Sequence, residues 1–109
     1  MVNKRDNLIV IDINEIAYFY TEDKAVFIVT LDSNKYLINN TLDNLEKEIE
    51  ENLFYRINRQ FFVSVKSILK ITNHFNYKLK LELQPKILNT EIIISKSKNK
   101  DFKNWLSNT

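Results

Sequence analysis

No glycine occurs anywhere in the 109 residues, and that absence narrows the possible folds before any motif is read. Loops that cradle a phosphate need glycine so that the backbone can approach it, so the nucleotide-binding folds built on such loops fit this chain poorly. Tight turns have to come instead from Asn, Asp and Ser, whose short polar side chains bond back to the backbone. Segments of that kind lie at 21–24, 32–35 and 73–76, each between two apolar runs.

Residues 8–11, 16–20, 25–31 and 36–38 are dense in Val, Ile, Phe and Tyr and read as consecutive strands of a meander. Thr41 then offers an N-cap hydroxyl, and Asp43 complements the helix dipole in the first turn. Leu42, Leu45 and Ile49 recur at helical spacing, which predicts one amphipathic helix of about ten residues. Its acidic side chains form a solvated face, lacking the alternating oxygen ligands of a calcium loop. Farther on, residues 67–72 read as a strand, and residues 77–83 alternate, with Tyr77, Leu79, Leu81 and Leu83 on one face and Lys78, Lys80 and Glu82 on the other. After a loop at 85–90, the run Ile92-Ile93-Ile94 marks another strand. A basic corner at 95–100 leads to a short closing helix with Phe102, Trp105 and Leu106 at i, i+3 and i+4. The expected class is mainly β with two short helices, a single domain over residues 1–109 whose first seven residues are a disordered start or linker remnant.

Charge is unevenly distributed. Residues 1–55 carry five basic and eleven acidic side chains and residues 56–109 carry eleven basic and three acidic, so −6 and +8 lie behind the net charge of +2. A basic half of this kind is an electrostatic footprint for a polyanion or simply a solvated surface. There is no membrane span and no secretory h-region, and the absence of cysteine suits the cytoplasm. The single histidine, His74, sits in a predicted turn with no cysteine near it, so it anchors no usual zinc set. No catalytic residue and no cofactor are expected.

The densest functional stretch is Phe54-Tyr55-Arg56-Ile57-Asn58-Arg59-Gln60-Phe61-Phe62-Val63, a polar corner running directly into an apolar strand. It is similar to the Phe-x-Arg-x-His-Arg-Ser-Tyr-Leu-Val pattern of the LytTR-type DNA-binding domains, the output modules of many bacterial two-component response regulators. Ile16-Ala17-Tyr18-Phe19, the Thr41-Leu42 helix opening and Ile92-Ile93-Ile94-Ser95-Lys96 match other parts of that pattern, so the likeness runs from about residue 8 to 106. The resemblance implies an elongated, mostly β fold whose loops enter successive major grooves of double-stranded DNA. It also implies a receiver domain in the full-length protein and binding to repeated sites as a homodimer.

Carried onto this chain, the first DNA-binding loop holds Lys24, the second Asn58, Arg59 and Gln60 beside Arg56, and the third Lys96, Ser97, Lys98 and Lys100. The chain departs from the family pattern in having Asn58-Arg59-Gln60 for His-Arg-Ser and Lys96 for arginine. Arginine presents a planar fork that fits guanine O6 and N7, which makes Arg59 the first candidate for base readout and leaves Lys96 a less strict one. Asn58 and Gln60 have the amides to pair with adenine or donate to phosphate. Structural roles compete for several of these: Arg56 can pair with the acidic helix through Glu50 or Glu51, and Phe61 and Phe62 alternate across a strand, so at least one is core. A protein-interaction module docking an acidic partner is the alternative, and single-strand binding through stacked aromatics a third reading.

Overall fold

The structure is a computed structural model that describes residues 2–4 and 7–108, with side-chain surroundings given from Ile9 onward. Strands β1 (Val2–Lys4) and β2 (Asn7–Ile9) pair as a small antiparallel ladder. Of the disordered start expected over 1–7, residues 2–4 and 7 take part in this ladder, and residues 1, 5 and 6 lie outside the described residues. Of the strand expected over 8–11, Val10 and Ile11 lie outside β2, and Val10 is exposed.

Five strands form the central sheet: β3 (Ile16–Glu22), β4 (Ala25–Thr30), β5 (Lys35–Ile38), β6 (Phe54–Arg56) and β7 (Phe61–Ser64). They run antiparallel in the order β5-β4-β3-β7-β6, which puts β3 in the middle. Layers cover both faces of this sheet, which is why Ile16 through Tyr20 are buried without a break and do not alternate with polar residues. On one face helix α1 (Leu42–Glu48) inserts Leu42 and Leu45 against Ile16, Phe19, Ile28 and Phe62. On the other face Tyr18, Tyr20, Phe61 and Val63 meet a second sheet and Phe102 of helix α2 (Lys96–Ser107). That second sheet is β10-β9-β8, built from β8 (Ile68–His74), β9 (Lys78–Leu83) and β10 (Ile92–Ile94). Its inner residues are Leu79, Leu81, Leu83, Ile92 and Ile94. With extents of 47 × 29 × 23 Å, the molecule is the elongated, mainly β body anticipated from the resemblance.

Local details follow from side-chain chemistry. Thr41 Oγ1 accepts the backbone N–H of Asn44 at 3.1 Å and caps α1, which ends at Glu48, shorter than the expected ten residues, with Ile49 already extended. Phe61 and Phe62 are both core, one on each face of the central sheet. Tyr77 does not share the buried face of β9. It stands in the tip between β8 and β9, exposed, with φ 62°. His74 closes β8 with its ring 4.4 Å from that of Phe75.

Candidate nucleic-acid interface

The corner between β6 and β7 is built by two side chains that bond almost entirely to backbone and neighbours. Asn58 Oδ1 accepts the N–H groups of Gln60 at 2.8 Å and Phe61 at 3.1 Å, and its Nδ2 donates to the Ile93 carbonyl at 3.4 Å. This is an Asx-type turn, which replaces a glycine turn by closing the backbone onto a side-chain oxygen. Arg56 closes the corner from the other side. Its Nε donates to the Asn58 carbonyl at 2.7 Å and its Nη2 to the Arg59 carbonyl at 3.1 Å. Nη1 bonds Asp43 at 2.8 Å and Glu46 at 3.2 Å. Arg56 therefore pairs with the acidic helix, but through Asp43 and Glu46 and not Glu50 or Glu51, because α1 ends before those residues and turns its i, i+3 face toward β6. Held this way, the corner projects Arg59 outward. The Arg59 side chain is exposed and has no hydrogen-bond or ion-pair partner among the described residues.

Helix α2 begins earlier than its sequence pattern suggests. Lys96, Ser97, Lys98 and Lys100 form its first turns and not a loop, with Ser95 as the N-cap residue. Lys96 and Lys100, four residues apart, share one helix face, and Lys98 lies on another. Lys98 Nζ reaches inward and donates to the Arg56 carbonyl at 3.0 Å, while Lys96 Nζ sits 5.2 Å from the Tyr77 ring centroid. Asn99 Nδ2 donates to the Tyr77 carbonyl at 2.8 Å and so ties the β8–β9 tip to the helix. The Ser95 and Ser97 hydroxyls lie 3.1 Å apart at the helix start.

These elements meet at one open concavity, whose wall includes Arg56, Asn58, Arg59, Lys78, Ser95 and Lys98. Lys78 is the residue missed in the sequence reading. The alternation of residues 77–83 puts it on the wet face of its strand, but no sequence signal places the start of β9 beside Arg59. The first loop joins from the side: the Thr21 N–H donates to the Gln60 carbonyl at 3.0 Å, so the β3–β4 hairpin leaves the sheet next to the Arg59 corner. Its turn consists of Asp23 and Lys24 at φ 51° and 67°, consecutive left-handed residues that suit a two-residue hairpin, and Lys24 is exposed at the tip. The β3–β4 hairpin thus adjoins the corner that shares the concavity with the start of α2. Four cationic side chains, Arg56, Arg59, Lys78 and Lys98, line the concavity, and among these described residues Arg56 alone is ion-paired with carboxylates.

A family model described as the LytTr DNA-binding domain matches residues 6–107. The chain belongs to this family. The LytTr domain is 29% identical over 101 residues to the sensory transduction protein LytT of Bacillus subtilis (strain 168), covering 93% of this chain and 40% of that protein. It thus spans well under half the length of that curated relative. Among solved structures, the LytTr DNA-binding domain of a response regulator from Bacillus cereus superposes with a TM-score of 0.78 at 19% identity, covering 96% of this chain and 93% of the other. At that identity the likeness speaks to the fold, and it agrees with the layered arrangement described above. Among the described residues no helix is long and apolar enough to cross a membrane.

Proposed function

We propose that this LytTr domain binds duplex DNA sequence-specifically as the output part of a transcription regulator. The observation that carries the reading is the convergence of Arg59, Lys78, Lys98 and Ser95 at the start of α2 on one concavity, flanked by the Lys24 hairpin. Ammonium groups and a helix N-terminus suit phosphates, and an unpaired guanidinium on a rigid corner suits a base edge. Arg59 and Gln60 are the candidate base readers, with Lys24, Lys96, Ser97, Lys98 and Lys100 as backbone contacts alongside Lys78. Asn58 and Arg56, whose polar atoms are engaged within the protein, shape the corner. The two loops and the start of α2 would enter successive major grooves.

In this reading the chain works as one domain without catalysis of its own, in the cytoplasm where its target lies. A receiver domain would belong to the longer protein, as the partial coverage of the LytT relative suggests, and repeated sites would be occupied by a homodimer. Docking of an acidic protein partner is the competing reading. It is favoured by β8, which pairs on one side only and exposes Leu69 and Ile71.

Selection from a randomised duplex library on the purified domain tests the proposal. Affinities of the selected duplex, a scrambled duplex and the corresponding single strand would then be compared across salt concentrations. A short repeated motif bound well above the scrambled control, with affinity falling steeply as salt rises, is the expected result. Equal affinity for selected and scrambled duplexes would remove the specific-reader claim, and tighter binding to single strands would favour aromatic stacking.

A further inference from the structure

Arg56 lines the basic concavity, yet its environment is the opposite of what a phosphate contact needs. Its side chain is only 14% exposed. Nη1 is shared between two carboxylates, Asp43 and Glu46, so the local balance of these three groups is negative. Nε and Nη2 reach two consecutive loop carbonyls, those of Asn58 and Arg59. Four of the five guanidinium N–H groups are thereby engaged. The Arg56 carbonyl in turn accepts from Lys98 of α2. A single side chain thus links α1 to the corner that presents Arg59, and its backbone links the same corner to α2.

We propose that Asp43, Glu46 and Arg56 form a clamp in which Arg56 is a positioning residue. The clamp fixes the peptide planes on either side of Arg59, so that its fork meets the duplex in one orientation. The inference rests on the DNA-binding reading above for its consequence, and on the free protein alone for its geometry. It assigns α1, which lies on the far face of the central sheet from the second sheet, a role in sequence discrimination. A planar bidentate contact tolerates little misalignment, so loosening its support lowers selectivity before it lowers general attraction to DNA.

The decisive variant is the double substitution Asp43→Asn with Glu46→Gln. Both side chains are largely exposed, at 81% and 50%, so the fold is expected to survive, as thermal unfolding would verify. Simple electrostatics predicts that removing two negative charges near a DNA-binding face strengthens binding to every duplex. The clamp predicts the reverse for the selected duplex: affinity falls by at least about tenfold, and the ratio of selected to scrambled affinity falls with it. Arg56→Gln should lower that ratio while leaving the salt slope within half an ion of the parent, whereas loss of a phosphate contact would reduce the slope by about one. Selected-site binding as tight as the parent's in the double variant, or a one-ion drop in slope for Arg56→Gln, overturns the clamp.

Amide hydrogen exchange of the free protein provides a reading that needs no DNA. Exchange at Gln60 and Phe61, the donors to Asn58 in the clamped corner, should quicken by about tenfold or more in the double variant, and unchanged rates would overturn the clamp. Should the parent domain show no duplex preference, the DNA-reader proposal fails while the exchange rates still decide the clamp.

Discussion

Arg59 and Asn58 are neighbours with opposite fates. Asn58 has the amide that could read adenine, but its oxygen is occupied by two backbone N–H groups. Removing it in Asn58→Ala leaves those donors without their acceptor, which should cost about 1–2 kcal/mol of stability in urea unfolding; a change within 0.3 kcal/mol would mean water replaces the oxygen at no cost. Arg59→Ala should leave stability unaltered and instead cost about 1–3 kcal/mol on the selected duplex, with preference relaxed at one base position. Equal loss on selected and scrambled duplexes would reduce Arg59 to a phosphate clamp. Lys78→Ala should weaken all duplexes alike and lower the salt slope by about one, and an unaltered slope would place Lys78 outside the contact surface.

Turns and strands show how the chain manages without glycine. Six described non-glycine residues, Asp23, Lys24, Ser33, Asn76, Tyr77 and Asn89, adopt positive φ. Each pays a steric penalty that glycine would avoid. Ser33, at φ 73° and exposed in the β4–β5 turn, is the position where relief is cleanest. Ser33→Gly should stabilise the domain by up to about 1 kcal/mol, the relief being partly offset by the greater unfolded-state freedom of glycine, and a lowered melting temperature would refute this account. The Asp23-Lys24 turn carries a candidate contact at its tip, so the same left-handed geometry there also sets where Lys24 points. In β7 the alternation sends Phe61 toward Tyr20, with rings stacked 5.9 Å apart, and Phe62 toward Phe54 at 5.3 Å. The strand that follows the recognition corner is thereby anchored in both cores, giving Arg59 a rigid base.

For the molecule as a whole, the stacking of two sheets and two helices has a consequence at high pH. Tyr18 lies between the sheets and its hydroxyl donates to the Pro85 carbonyl at 2.6 Å. Burial, with Tyr20 beside it, pushes the Tyr18 hydroxyl well above the ordinary tyrosine range. Because the folded state holds the proton more tightly than the unfolded chain, the corresponding stability is fully present below about pH 10 and drains away as pH rises beyond it. Unfolding followed between pH 9 and 11 should show Tyr18→Phe losing less stability over that interval than the parent, and parallel curves would show that Tyr18 does not couple to folding. The same layering keeps the end carrying Arg59, Lys78 and Lys98 in register, since the Thr21 to Gln60 and Lys98 to Arg56 bonds join the corner to its neighbours.

Much of this protein is written in local sequence. Apolar runs of β-branched and aromatic residues separated by Asn and Asp specify strands and turns through backbone sterics, and Thr41 with Leu42 and Leu45 specifies α1, because both depend on neighbours a few residues away. The polar corner at 56–60 was legible for the same reason, as was its likeness to the LytTr family. What local pattern could not supply is partnership across the fold. Leu42 and Leu45 announce a helix but not that Asp43 and Glu46 would grip Arg56. Residues 95–100 announce charge but not that helix α2 starts at Lys96 and turns Lys98 inward. Nothing near Lys78 in sequence indicates Arg59. Each of those contacts joins segments from ten to more than forty residues apart, and such contacts exist only once the sheets have paired and packed, when long-range burial selects among side-chain arrangements that the separate segments leave open.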